Sequence, residues 1–214
     1  MSVRVLLWPV LVCVVTLLVE LPASWLVPGR AVSGSLWQGQ AEQVGDVGPL
    51  NWQWQPWRLQ AQIRLGYQGQ DWLARLSGSP WRWRADVEAL EAAPSVPLAY
   101  RLAGHWQGRV AVQGVWQRCV GAEGRLQVND LALVSPWSLD LGQGWLAMRC
   151  ASDWRLQGGL ALQGQHQLDL DADLLARRAR VGLEVQPDAA LTPLLRGAQW
   201  LGPETAKGER QLRW

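Results

Sequence analysis

The chain has 214 residues, with 20 Lys and Arg against 18 Asp and Glu and a formal net charge of +2. The two signs are mixed along the sequence without a basic stripe, which argues against nucleic acid as a partner. Charged residues reach only 18% and hydrophobic ones 49%, a balance and length that suit one domain with a sizeable core.

Arg4 opens an apolar run, Val5 to Val19, which Glu20 interrupts and Leu21 to Val27 resumes. A bilayer core about 30 Å thick is crossed by roughly 20 apolar helical residues. Residues 3–25 are therefore read as an uncleaved transmembrane helix, the alternative being a cleaved secretory signal. Arg4 and the amino terminus would stay inside the cell. Residues 1–27 form the anchor on this reading, and residues 28–214 a periplasmic β-domain at the inner membrane, with a sub-division allowed near residue 98.

Beyond residue 28 the pattern is that of short strands. Alternation of apolar and polar residues marks a half-buried strand. It is clearest from Trp57 to Tyr67, where Trp57, Leu59, Ala61, Ile63 and Leu65 share one side and Arg58, Gln60, Gln62 and Arg64 the other. Trp72 to Leu76 and Trp81 to Val87 repeat it, separated by Gly- and Ser-containing turns. Residues 87–93 combine a capping Asp86, good helix formers and a stop at Pro94, which predicts a short helix. Strands resume from Tyr100 to Val185. Pro187-Asp188 then heads a predicted helix, Ala189 to Leu201, ended by Gly202-Pro203, and Lys207 to Trp214 reads as a last strand. The fold class is mainly β: a transmembrane helix, then a large curved, mostly antiparallel sheet with two short helices.

Sixteen Trp beside two Tyr and no Phe is an unusual aromatic set. Trp joins a large apolar body to an N–H donor and suits surfaces half in water. Of the three cysteines, Cys13 falls in the anchor, leaving Cys119 and Cys150 outside. In an oxidising space these two are expected to pair, closing a loop worth about 3–4 kcal/mol in the chain-entropy model.

Little of this chemistry points to catalysis. His105 and His166 lie in strand contexts without metal-ligand spacing. Asp169, Asp171 and Asp173 alternate along one strand; three carboxylates on one face could bind Ca²⁺, but a solvated strand face is the simpler reading. No nucleophile elbow or phosphate loop is present. The chain reads as a non-enzyme without metal or cofactor.

One stretch carries a family signal. Val32-Ser-Gly-Ser-Leu-Trp-Gln-Gly-Gln-Ala41 is followed by Leu50-Asn-Trp-Gln-Trp-Gln-Pro-Trp57. Gly34, Leu36, Trp37, Gly39, Leu50, Trp52 and Pro56 resemble the opening of the type II secretion system protein N family, with Ser35 in place of Thr. The closing helix and strand and the cysteine pair in the second half are similar too. Gly34 and Gly39 are expected to bracket a short strand bearing Leu36 and Trp37, with Trp52 and Trp54 on one face of the next. The resemblance implies an inner-membrane, periplasm-facing accessory or assembly component of the machine that exports folded exoproteins across the outer membrane. Its partners would be other inner-membrane subunits, met through Leu36, Trp37, Trp52, Trp54 and Trp57. The family is also similar to AsmA-like proteins, which implies an alternative: a lipid-binding or lipid-transfer groove lined by Leu59, Ile63 and Leu65.

Overall fold

The computed structural model describes residues 16, 20–92, 100–150 and 153–214. Among the described residues fourteen strands form one sheet. They are β1 (Ser33–Gly34), β2 (Gln38–Ala41), β3 (Leu50–Gln55), β4 (Gln60–Tyr67), β5 (Gln70–Ser79), β6 (Arg82–Ala92), β7 (Arg101–Ala103), β8 (Trp106–Val115), β9 (Arg118–Ser135), β10 (Leu139–Cys150), β11 (Trp154–Leu162), β12 (His166–Asp173), β13 (Arg178–Val185) and β14 (Lys207–Arg213). A short helix, α1 (Thr192–Gly197), lies between the last two strands. Neighbours in the sheet are neighbours in sequence, and every pairing is antiparallel; the exception to chain order is β7, which pairs with the far part of β9 beside β8.

The register sorts side chains by chemistry across the whole width. Trp52 opposes Ile63, Ile63 opposes Ala74, Ala74 opposes Val87, and Val87 opposes Val110. Further along, Leu126 opposes Leu146, Leu146 opposes Gly158, Gly158 opposes Leu170, and Leu170 opposes Val181. The other face carries rows such as Gln62, Arg75 and Asp86. A slip of one residue would turn every strand inside out, so the two-residue period fixes the pairing. The apolar face is buried in two places. One cluster is Val110, Val112, Cys119 and Leu126; the other is Leu183, Val185, Ala189 and Leu201, beneath the segment around α1.

The sheet folds on itself at β9 and β10. Their pairing runs from Leu139 opposite Leu133 to Leu146 opposite Leu126 and goes no further. Beyond that point the start of β9 pairs with β8, and the end of β10 with β11. Across the opening, Trp83 of β6 stacks on Trp154 of β11 with ring centroids 5.4 Å apart. Four strand intervals in a flat sheet would hold them roughly 19 Å apart, so the two halves turn their apolar faces toward each other. The Cys119–Cys150 disulfide closes the mouth of this opening.

Two glutamines replace missing ladder bonds. The amide of Gln70, 2% exposed, donates to the Leu90 carbonyl and accepts the Trp106 N–H at 3.3 Å. Gln68 accepts the Leu102 N–H at 2.8 Å and donates to the Tyr100 carbonyl at 3.3 Å. Both hold the segment that leads into β8. Replacing Gln70 by Leu would leave two backbone groups without these partners, and we expect a loss of about 2 kcal/mol, read as a lower urea midpoint at unchanged slope.

Several expectations need correction. Among the described residues no helix is long and apolar enough to cross a membrane, so the N-terminal transmembrane helix is not part of the described fold. Residues 1–15 and 17–19 of that expected span, with Cys13, lie outside the described residues. Its last part is not helical in the expected way: Pro22 bridges Ser35 of the first hairpin, and Ala23–Trp25 is a single 3-10 turn. Pro22 has no N–H for a helical ladder, and the carbonyl of Leu21 before it accepts the Leu36 N–H of the first hairpin's turn. The short helix predicted over 87–93 is strand through residue 92, where Val87 and Glu88 pair with both β5 and β8; pairing overrides local propensity. The predicted helix from Ala189 to Leu201 shortens to α1, with turns before and after it. The allowed sub-division near residue 98 falls on residues 93–99, outside those described; β6 and β8 on either side pair with each other.

Candidate functional site

The first hairpin is built around Trp52. Ser33 and Gly34 pair with Gln40 and Gly39, so Leu36 and Trp37 form the turn and not, as expected, a strand. Trp52 stands opposite Gly39. A Cβ on Gly39 would overlap the Trp52 ring, so glycine here is the seat for an indole. From that seat Trp52 Nε1 donates to the carbonyls of Leu36 and Ser35 at 3.2 and 3.3 Å. The Ser-Gly-Ser-Leu-Trp-Gln-Gly motif is thus a hairpin whose turn carbonyls are capped by a tryptophan from the next strand.

The same device recurs. Trp83 stands opposite Gly114 and donates to the Trp116 carbonyl at 2.8 Å. Trp145 stands opposite Gly159 on the polar face, with the Arg125 guanidinium 4.6 Å from its ring centre. In each pair the glycine leaves room that a side chain would fill, and the aromatic covers backbone the glycine would leave bare.

The eight residues expected to form an interface or groove divide into three groups. Trp52, Ile63 and Leu65 lie on the apolar face, with Ile63 39% exposed. Trp37 and Trp54 pack at 5.1 Å, with Leu36 beside them in the turn. Trp57 and Leu59 lie off the apolar face, before β4 begins. Pro56–Arg58 is a 3-10 turn and Leu59 takes a left-handed φ of 52°, so the strand begins only at Gln60. Trp57 and Leu59 are exposed at the end of the sheet. Pro56 supplies the fixed φ that starts the turn, and this interrupts an alternation that looked continuous.

The polar face is laced by ion pairs. The Arg84 guanidinium, 3.0 Å from Asp86, and then Arg109 at 3.2 Å hold the Asp86 carboxyl below the usual range. The backbone N–H of His105 and then its ring, 2.5 Å away, do the same for Asp130. Asp171 and Asp173 of the acidic row face Arg155 and Arg178, at 3.3 and 3.9 Å. These are the contacts of a solvated face. Among the described residues no three His, Cys, Asp or Glu side chains could hold a metal ion together. His166 is buried, with Nε2 3.2 Å from the Leu141 carbonyl.

These features define a class: a one-sheet β protein whose apolar face is covered only in part and whose tryptophans sit on cross-strand glycines. Residues 25–213 match the family model described as type II secretion system (T2SS), protein N. The chain belongs to that family and is a component of the type II secretion system. No curated protein and no solved structure matches it.

Proposed function

We propose that the protein is an accessory or assembly component of the type II secretion machine, working on its periplasmic side beside other inner-membrane subunits. Family membership over nearly the whole chain carries the reading. The disulfide fits an oxidising compartment. The contact surface in this reading is the short edge formed by β1, β2 and β3, where Trp37 and Trp54 pack together and Trp54 remains 44% exposed. Exposed aromatics at an edge are common anchors of interfaces. The test is a pull-down of the full chain from mildly solubilised membranes. Secretion subunits should co-purify with the native protein and fall at least tenfold with Trp37→Ala/Trp54→Ala. Recovery of no secretion subunit by either form would sink the proposal.

The apolar face favours a second reading, a groove for lipid. Ile63 and Leu76 on that face are 39% and 47% exposed, more than a closed core allows. Native mass spectrometry of the same preparation would show stoichiometric phospholipid if the groove is filled.

A further inference from the structure

In a sheet that follows chain order, alternate turns fall at the same end. The turns after β1, β3, β5, β8 and β12, and the chain end after β14, share one end; the turns after β4 and β11 share the other. The first end is aromatic and aliphatic: Trp57 is 75% exposed, Trp81 62%, Trp116 60%, Leu175 60% and Trp214 58%. The row follows the sheet from β4 to β14 and doubles back where Trp83 meets Trp154. Arg58, Arg82, Arg118, Arg177, Arg178 and Arg213 flank the same turns, all exposed, against Asp153 and Asp173. The second end has polar turns, Gln68-Gly69 and Gln163-Gly164-Gln165, and mixed charges, Glu42, Asp46, Asp140, Asp188 and Glu204 beside Arg101, Arg196 and Lys207; its exposed aromatics are Tyr67, Tyr100 and Trp137.

We propose that the Trp- and Arg-bearing end of the sheet rests in the headgroup interface of an anionic phospholipid bilayer. Indole rings settle where apolar and wet regions meet. Arginines reach the phosphates and gain from the negative surface potential. A protein partner would also favour Trp and Arg. What selects the bilayer is where the upstream chain joins. The N–H of Leu36, in the first turn at this end, donates to the Leu21 carbonyl at 3.0 Å, and Pro22 bridges Ser35. Trp25, just after it, is 78% exposed. The residues before this junction are apolar in sequence from Val5 to Val19. The chain thus enters the described fold at the Trp- and Arg-bearing end, and the most lipid-compatible stretch of the sequence immediately precedes that point.

The test uses the full chain reconstituted with vesicles of phosphatidylethanolamine and phosphatidylglycerol whose acyl chains are brominated near the headgroup. Bromine quenches tryptophan emission at short range. The variant Trp57→Gln/Trp81→Gln/Trp116→Gln/Trp214→Gln should lose at least half of the quenchable emission, while Trp137→Gln at the opposite end should lose none. Equal quenching in the native and fourfold variant would overturn the proposal, because Trp8 and Trp25 would then account for all of it. Hydrogen exchange on the unaltered chain gives an answer free of substitution. Residues 56–59, 80–81, 116–117 and 174–177 should exchange several-fold more slowly on these vesicles, and residues 68–69 and 163–165 at an unchanged rate. Slowing at both ends, at neither, or only after a secretion subunit is added would each overturn it. The pull-down tests a different surface, so the two proposals fail independently.

Discussion

Substituting Gly114 by Ala should destabilise the protein by about 2–3 kcal/mol, the upper range for forcing extra volume into a packed site. At this size that is roughly 4–12 °C in melting temperature. The added methyl would overlap the Trp83 ring on the neighbouring strand. Backbone cannot yield, because Gly114 pairs with Trp83 on one side and with Cys119 on the other. The ring cannot yield cheaply either, since it stacks on Trp154 and donates to the Trp116 carbonyl. A double-mutant cycle makes the argument specific. In a Trp83→Leu background, already weakened, the same Gly114→Ala change should cost at least about 1 kcal/mol less, the remainder coming from the methyl's approach to the Arg118 carbonyl at 2.9 Å. An equal cost in both backgrounds would mean that the strand, not the indole, requires glycine.

Removing the disulfide should have an effect of similar size. The two cysteines are 31 residues apart in sequence, and a loop of that length is worth about 3–4 kcal/mol. The expected consequence is more than a looser denatured state. The bond sits where β9 and β10 no longer pair, so nothing in the ladder substitutes for it. Cys119→Ala/Cys150→Ala should lower the urea midpoint accordingly. It should also raise amide exchange in residues 118–125 and 147–150, with little change in residues 126–133. Uniform acceleration along β9 would contradict this picture.

Much of the fold was legible because one physical period governs it. Apolar and polar residues alternate between Gly-containing turns from Trp72 to Leu76 and along Arg178 to Val185, and there the chain is a strand. The readings that failed did so for identifiable reasons. Asp86 to Ala92 is rich in helix formers, but its local preference of tenths of a kcal/mol per residue meets pairing on both sides. Trp57 and Leu59 fit the alternation by spacing alone, and only Pro56 hints that the strand has not yet begun. The candidate hairpin was legible as a motif but not as a mechanism, since spacing does not reveal that Gly39 seats the Trp52 ring. The contact between Trp83 and Trp154 was beyond reach, because it depends on a fold of the sheet that no local pattern encodes. Gln68 and Gln70 likewise read as ordinary polar positions, although they carry the connection into β8.

The order of strands along the chain has a consequence for how the molecule is made. Apart from β7, each strand finds its partners in the strand just made and the one just to come. Loop closure between such neighbours is cheap, and contacts of short sequence separation form fast. The sheet can therefore assemble hairpin by hairpin, with each finished strand serving as the template for the next, much as a repeat array propagates from unit to unit. Damage in one hairpin then stays near that hairpin, and hairpins can be gained or lost at the β14 edge without disturbing the register of the strands before it.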